Sequence, residues 1–247
     1  MKSDEVLDRV VMPNGSELRL IRWDEHIAIE VDGRPLMSTH EHGSEDDLGR
    51  VVAERLTGIA APRMLIGGLG LGFTLRAALD ALPKAAEVVV AELVPDVVRW
   101  NRAKYGAFAK RPLRDRRVTV VVGDVAVAIA EGRDYDAIVL DVDNGPDALT
   151  HNVNANLYKP TALKRTRRAL RPGGLLAVWS AFPSRAFSKV LAESGFEVEL
   201  LRPPPTTEGG PRYYVWLARK PVVSRGSAPG GGARSARPTA ARRSPAR

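Results

Sequence analysis

The chain has 247 residues, 44% of them apolar, which suits one large domain with a small appendage and excludes a chain too polar to build a core. It contains no cysteine, which excludes disulfides and Cys-ligated zinc or iron–sulfur sites and fits a reducing cytoplasm, and no apolar run approaches the roughly 20 residues of a membrane-spanning helix. Of the net charge of +8, six positive charges fall in residues 221–247, leaving +2 for residues 1–220, so the charge does not mark the body of the chain as a nucleic-acid binder.

Met1-Lys2-Ser3-Asp4-Glu5 lacks the apolar core of a signal peptide, and the expectation is a soluble cytoplasmic protein. Polar and apolar residues then alternate through Glu17–Trp23, His26–Val31 and Arg34–Met37, with Asn14-Gly15 and Asp32-Gly33 as turn dipeptides. This predicts a small antiparallel β-unit over residues 1–43. Ser44 to Gly58 reads as a helix, with Ser44 as N-cap and Asp46-Asp47 in its first turn.

From Pro62 the pattern alternates between strand and helix. Strands are predicted over 63–67, 87–92, 118–122, 135–142, 174–180, 196–201 and 212–218, and helices over 71–82, 95–105, 125–131, 157–170 and 183–194. Arg171-Pro172-Gly173-Gly174 reads as a glycine turn ending the 157–170 helix. Near-continuous apolar strands such as Ala137-Ile138-Val139-Leu140 belong to a parallel sheet covered on both faces. The last strand follows its predecessor without a helix and should run antiparallel to it. Residues 44–220 thus form a doubly wound, Rossmann-like, seven-stranded α/β sheet. The tail, 221–247, is rich in Arg, Pro, Gly, Ala and Ser, with only Val222 and Val223 strongly apolar, and reads as disordered. Its arginines are also a composition that contacts nucleic acid or anionic surfaces; a solvated tail is the preferred reading.

The chemistry concentrates where strands end. Ile66-Gly67-Gly68-Leu69-Gly70-Leu71-Gly72 lies between a strand and a helix, and Glu92 ends the next strand, 20 residues after Gly72. Strand, glycine turn, helix, strand, acid is the layout of a nucleotide-binding half, with Gly67, Gly68, Gly70 and Gly72 admitting a close ligand and Glu92 placed for both ribose hydroxyls. Gly123-Asp124 follows the third strand. Asp124 is placed to accept from an adenine amine, to cap the helix that follows, or to do both. Leu93 offers an apolar cover for the base.

Asp141 and Asp143 end the fourth strand. Residues two apart share a face, so both carboxylates can line one cleft. Two acids beside a cation can hold it, and one can take its proton, which suits an amine that must lose a proton before it attacks an electrophilic carbon. Asn144-Gly145-Pro146 then turns the chain into a long polar segment, 147–156, read as a substrate loop that carries His151. His40, His42 and His151 have no recognisable metal-ligand spacing, so no metal is expected.

These motifs, with Tyr135–Asp141 and with Leu157-Tyr158 leading to Leu170-Arg171-Pro172-Gly173-Gly174, resemble the spermidine synthase family, the polyamine aminopropyltransferases built on the class I S-adenosylmethionine methyltransferase fold. The resemblance spans roughly residues 15–219 and includes the leading β-unit. It implies that Glu92 binds ribose, Asp124 the adenine amine, and Asp141 the attacking amine, with decarboxylated S-adenosylmethionine as donor. Asn144, where that family has a second acid, is placed with His151 and Tyr158 on the substrate side. The family carries an Asp where this chain has Gly70. The pattern Gly68-Leu69-Gly70-Leu71-Gly72 is closer to a methyltransferase, so methyl transfer from S-adenosylmethionine, and a catalytically inactive adenosyl-binding relative, stay open beside aminopropyl transfer. A homodimer is expected by resemblance alone.

Overall fold

The structure is a computed structural model that describes residues 5–12, 15–142, 145–146, 154–205 and 212–222. Tight turns shape its first part. Asp24, Asp32 and Gly33 hold φ of 48°, 49° and 76°, the backbone that two-residue hairpins require. They reverse the chain between β2 (Glu17–Trp23), β3 (His26–Val31) and β4 (Arg34–Ser38), closing on the pairs Trp23↔His26 and Val31↔Arg34. A further strand, β1 (Glu5–Val11), joins β2 to complete a four-stranded antiparallel meander. β1 is absent from the sequence-based strands because a register shift between Val6 and Asp8 breaks its two-residue period.

The second sheet contains β5 (Arg63–Gly67), β6 (Glu87–Glu92), β7 (Val118–Val122), β8 (Tyr135–Leu140), β9 (Leu170–Ser180), β10 (Glu197–Leu201) and β11 (Tyr214–Arg219). Their order is β10-β11-β9-β8-β5-β6-β7, with β11 antiparallel to both neighbours, as the sequence predicts. Alternate residues feed two cores. Met64, Ile66, Val88, Val90 and Val139 pack with the meander's Leu20 and Ile29 on one face. Leu65, Ile138, Leu140, Leu176 and Val178 pack on the other. Strands buried on both faces lose the polar positions of an alternating pattern, which is why they read as apolar runs.

The helices are α1 (Gly43–Glu54), α2 (Phe73–Ala81), α3 (Pro95–Arg102), α4 (Val125–Glu131), α5 (Pro160–Ala169) and α6 (Arg185–Glu193). Residues of α1, α2 and α3 belong to the first core, and residues of α4, α5 and α6 to the second. Among the described residues no helix is long and apolar enough to cross a membrane.

Three local expectations are corrected. His42, rather than Ser44, is the N-cap of α1; the Ser44 hydroxyl turns to Glu45 Oε2 at 2.5 Å instead. α1 stops at Glu54, whose carbonyl accepts the Thr57 hydroxyl at 2.7 Å. Gly173-Gly174 do not end a helix: α5 ends at Ala169, Leu170 already pairs with Tyr135, and the glycines lie in an irregular stretch of β9, with Gly173 at φ 80°.

Beyond the core they share, two contacts among the described residues fasten the meander to the sheet domain. Asp8 of β1 accepts from Trp100 Nε1 at 2.8 Å and Arg99 Nη2 at 2.7 Å, which hold its carboxyl below the usual range. Met37 of β4 reaches the glycine loop. α1 in turn lies hard against α2: a Cβ on Gly49 would overlap the Thr74 carbonyl oxygen and come within 2.9 Å of Ala78 N. Gly49→Val should therefore force the two helices apart and lower the melting temperature by roughly 4–10 °C. A thermal melt by circular dichroism checks this.

Candidate active site

β8, β5, β6 and β7 run parallel and side by side, so their C-terminal ends line one edge of the sheet, with the chain crossing from β5 to opposite sides at β6 and β8. This reversal is where open α/β sheets bind ligands. Two other clefts lie at the opposite, N-terminal ends of β6 and β7. One, of about 680 Å³, is lined by Arg76, Lys84, Arg114, Arg116 and Arg117 with Asp80 and Asp115. Neither contains a glycine turn or a carboxylate at the C-terminal end of a strand.

At the end of β5 the backbone has no room for side chains. Gly68 sits at φ 91°, and a Cβ there would overlap the Asp141 carbonyl oxygen. Gly70 sits at φ 51° beneath the Met37 thioether, whose sulfur also receives the Leu71 N–H at 3.2 Å. Asn101 of α3 grips the loop from below, its amide donating to Gly70 O at 2.8 Å and Val97 O at 2.9 Å. Gly72 is the N-cap of α2, and Gly67 packs against Val125.

Glu92, 7% exposed, ends β6. One oxygen accepts from Leu69 N–H in the glycine loop and the other from Val94 N–H, both at 2.8 Å. Burial raises its carboxyl above the ordinary range, and the backbone donors oppose the shift. The Gly70 and Leu93 N–H groups also lie close enough to act on it in the same direction. Next to it, Gly123 N–H donates to Glu92 O at 2.8 Å, bringing Gly123-Asp124 alongside. Asp124 caps α4 by accepting from Ala126 N–H at 2.8 Å, the capping role its position allowed. Leu93, 44% exposed, and Val122, 51% exposed, put uncovered apolar surface at the same strand ends.

Asp141 follows β8 directly, and its N–H donates to Gly67 O at 2.9 Å. Its Oδ2 accepts the Thr74 hydroxyl at 2.6 Å, tying it to the first turn of α2. Close to it is Glu45, a residue that the sequence reading, which named Ser44, Asp46 and Asp47 at this helix start, did not single out. Glu45 is half-buried; the burial of its carboxyl, with the Asp141 charge close by, pushes it up to about 7. Around it, His42 Nδ1 meets Asp46 Oδ2 at 2.8 Å while the His42 ring stacks on Phe73 with centroids 3.8 Å apart. The Tyr213 hydroxyl donates to Asp47, which with burial raises the phenol. Glu45, Met37, Thr74 and Asn101 are the site residues the sequence reading missed. The available signal was Gly49 inside a helix, four residues after Glu45, which marks that face as a close contact.

Of the anticipated residues, the structure brings Gly67, Gly68, Gly70, Gly72, Glu92, Leu93, Gly123, Asp124 and Asp141 to one sheet edge. Tyr158 is buried in the second core, its ring edge-on to Phe187 at 5.5 Å. Asp143, Asn144 and His151 lie outside the described residues, as does the tail beyond Val222. Among the described residues no group of three or more His, Cys, Asp or Glu is arranged to hold a metal ion.

An α/β sheet of class I methyltransferase topology, led by an antiparallel meander, is the class these observations define. No protein-family sequence profile and no curated protein sequence matches the chain. Solved structures do. The chain is similar to spermidine synthase from Thermotoga maritima, with TM-score 0.71 and 16% identity over 88% of this chain and 73% of that one. It is similar to a spermidine synthase in complex with the transition-state analogue AdoDATO, with TM-score 0.69 and 15% identity over 88% and 73%. A probable spermidine synthase from Corynebacterium glutamicum ATCC 13032 gives TM-score 0.62 and 18% identity over 89% and 81%. The chain has a spermidine synthase-like fold.

Glu45 gives the site a measurable signature. Its carboxyl, ordinarily at 4.5, stands near 7 in the folded chain, so the folded state holds a proton that the unfolded state releases across that interval. The associated stability is complete below the lower value and is lost as pH rises through the upper one. Glu45→Gln keeps the neutral form at every pH. Its melting temperature relative to wild type should climb between about pH 4.5 and 8, by roughly 2–4 °C. Parallel pH profiles for the two proteins would show that Glu45 titrates as an ordinary carboxyl.

Proposed function

We propose that the chain is a transferase that takes an adenosyl sulfonium as donor. The best-supported form is aminopropyl transfer from decarboxylated S-adenosylmethionine to an amine, as in spermidine synthases. The observation that carries this reading is the Asp141 carboxylate, hydrogen-bonded to Thr74 beside the side-chain-free glycine loop and on the same sheet edge as Glu92. The residues fit such a donor. Glu92 stands beside the glycine loop at the end of β6, where ribose hydroxyls would compete for its carboxylate, and Leu93 with Val122 offers a flat base an apolar surface beside Asp124.

In this reading Asp141 accepts a proton from the acceptor ammonium. The amine nitrogen then bonds to the carbon next to sulfur, the C–S electron pair leaves with sulfur, and a neutral thioether nucleoside results. Sulfur departs from a positive state to a neutral one, so the protein's contribution is proximity, alignment and proton removal. Asp143 would stand with Asp141, and Asn144 and His151 would complete the acceptor side, with Tyr158, expected there from sequence, buried in the second core behind it. Residues 1–43, 44–220 and 221–247 would act as β-unit, transferase domain and tail, the chain working in the cytoplasm as a homodimer.

One observation favours methyl transfer from S-adenosylmethionine as the second reading. Position 70 has no side chain, and the Met37 thioether fills the space where an acid would otherwise meet a donor ammonium.

Calorimetric titration with both sulfoniums separates the readings: tighter binding of the decarboxylated donor favours aminopropyl transfer, tighter binding of the parent favours methyl transfer, and no heat from either sinks both. Glu92→Ala removes two charge-assisted contacts and should weaken nucleoside binding about 100-fold or more. Asp141→Asn should leave nucleoside affinity within about threefold and cut turnover by roughly 10²–10⁴. Wild-type turnover in that variant would move the base elsewhere.

A further inference from the structure

We infer that the N-terminal edge of the seven-stranded sheet, at the far end of the strands from the candidate active site, binds the phosphate backbone of a single-stranded nucleic acid, with Lys84, Arg114 and Arg116 as its contacts.

The net charge conceals this surface. Residues 1–220 sum to only +2, but the charge is not spread evenly. The two clefts at the starts of β6 and β7, of about 680 and 530 Å³, adjoin and share Lys84, Arg116 and Arg117. Together they are lined by six Lys or Arg side chains and three carboxylates. Each carboxylate is engaged: Asp80 takes Arg76 at 2.6 Å, Asp115 takes Arg117 at 2.7 Å, and Glu87 lies 3.7 Å from Arg63. Lys84, Arg114 and Arg116 are exposed, and among the described residues none of them has an ion pair or a hydrogen bond. The fold holds these three cations together against their mutual repulsion. Arg117 donates to Leu82 O at 2.9 Å, pinning the segment that carries Arg114 and Arg116 to the one that carries Lys84.

The end of the described chain reaches the same edge. β11 runs antiparallel to β9, and Lys220 N–H donates to Gly174 O at 2.8 Å, so the chain returns to the strand starts and Val222 lies against Gly173. Residues 223–247, which follow, add six arginines and no acid. β11 and β7 are five strand spacings apart, roughly 24 Å, so positive charge is supplied at both ends of an extended edge. Such a surface suits a chain of phosphates better than a single one. Neither cleft is lined by an aromatic side chain, so it offers charge to a backbone and no stacking platform to bases. A flexible strand can follow concave walls, whereas a flat bilayer meets only their rims, and neither lining includes an exposed large apolar side chain to enter one.

The test is fluorescence anisotropy of a labelled oligouridylate of about 12 nucleotides, titrated with the full chain over a series of KCl concentrations. Wild type should bind, and more weakly as salt rises. Lys84→Gln, Arg114→Gln and Arg116→Gln combined should bind roughly 10–100-fold more weakly at about 0.1 M salt, with the slope of log K against log salt shallower by about 2, since each phosphate contact on a single strand contributes about 0.7. Lys159→Gln, Lys164→Gln and Lys189→Gln combined remove the same charge from exposed positions elsewhere and should stay within about threefold of wild type. Changing all six tail arginines to Gln in the full chain should weaken binding without abolishing it. Equal affinity in wild type and the cleft variant, equal losses in the two lysine-containing variants, or loss of all binding with the tail arginines overturns the inference. Failure of wild type to bind the oligonucleotide overturns it too, and sedimentation of that protein with phosphatidylserine vesicles would assign the edge to a membrane surface instead.

Discussion

The site depends on one buried carboxylate. Glu92 ends β6 in an apolar setting, where an uncompensated charge would be expensive, and backbone N–H groups from two loops offset part of that cost. Leu69 belongs to the glycine loop and Val94 to the entry of α3, so one side chain fixes both relative to the strand. Its own carbonyl takes Gly123 N–H, and Gly68 N–H goes to Ala91 O. Three strand ends are thus cross-linked by hydrogen bonds that need no ligand. A site prepared in this way would lose little ordering entropy on binding the proposed nucleoside.

The second half of the site is built by helix packing. α1 is not part of the alternating strand–helix series; it sits between meander and sheet domain and is held by Arg55 to Glu199 of β10 at 2.9 Å and by Tyr213 to Asp47. These contacts anchor it to the β10–β11 edge, while Gly49 lets it approach α2. Its first turn is thereby delivered to the end of β8, so that acids from sequence positions nearly 100 residues apart share one environment.

Much of this could be read from the chain alone because it is written in local periods. Two-sided burial produces apolar runs, so β5, β6 and β8 were legible, and Gly67–Gly72 with Glu92 marked the strand ends at which the candidate site lies. What escaped lay in long-range contacts. Glu45 resembles any acid in a helical first turn, and only its packing against α2 and Asp141 distinguishes it. Met37 reads as the apolar half of a strand alternation; its contact with Gly70 spans 33 positions and leaves no local pattern. β1 was hidden by its irregular register, and the glycines of β9 imitate a helix terminator because both structures exploit the same positive φ. Ser44 loses the cap to His42 because its hydroxyl serves the neighbouring carboxyl.

The Met37–Gly70 contact has an evolutionary consequence. The two positions occupy a single volume from different structural units, so neither can change size alone. A lineage acquiring an acid at position 70 must first, or simultaneously, acquire a small residue at position 37, and a larger residue at 37 locks the loop into glycine. Among homologues the pair should therefore covary as a size exchange, and the meander, remote in sequence from the loop, becomes the gatekeeper of which polar groups that loop can evolve.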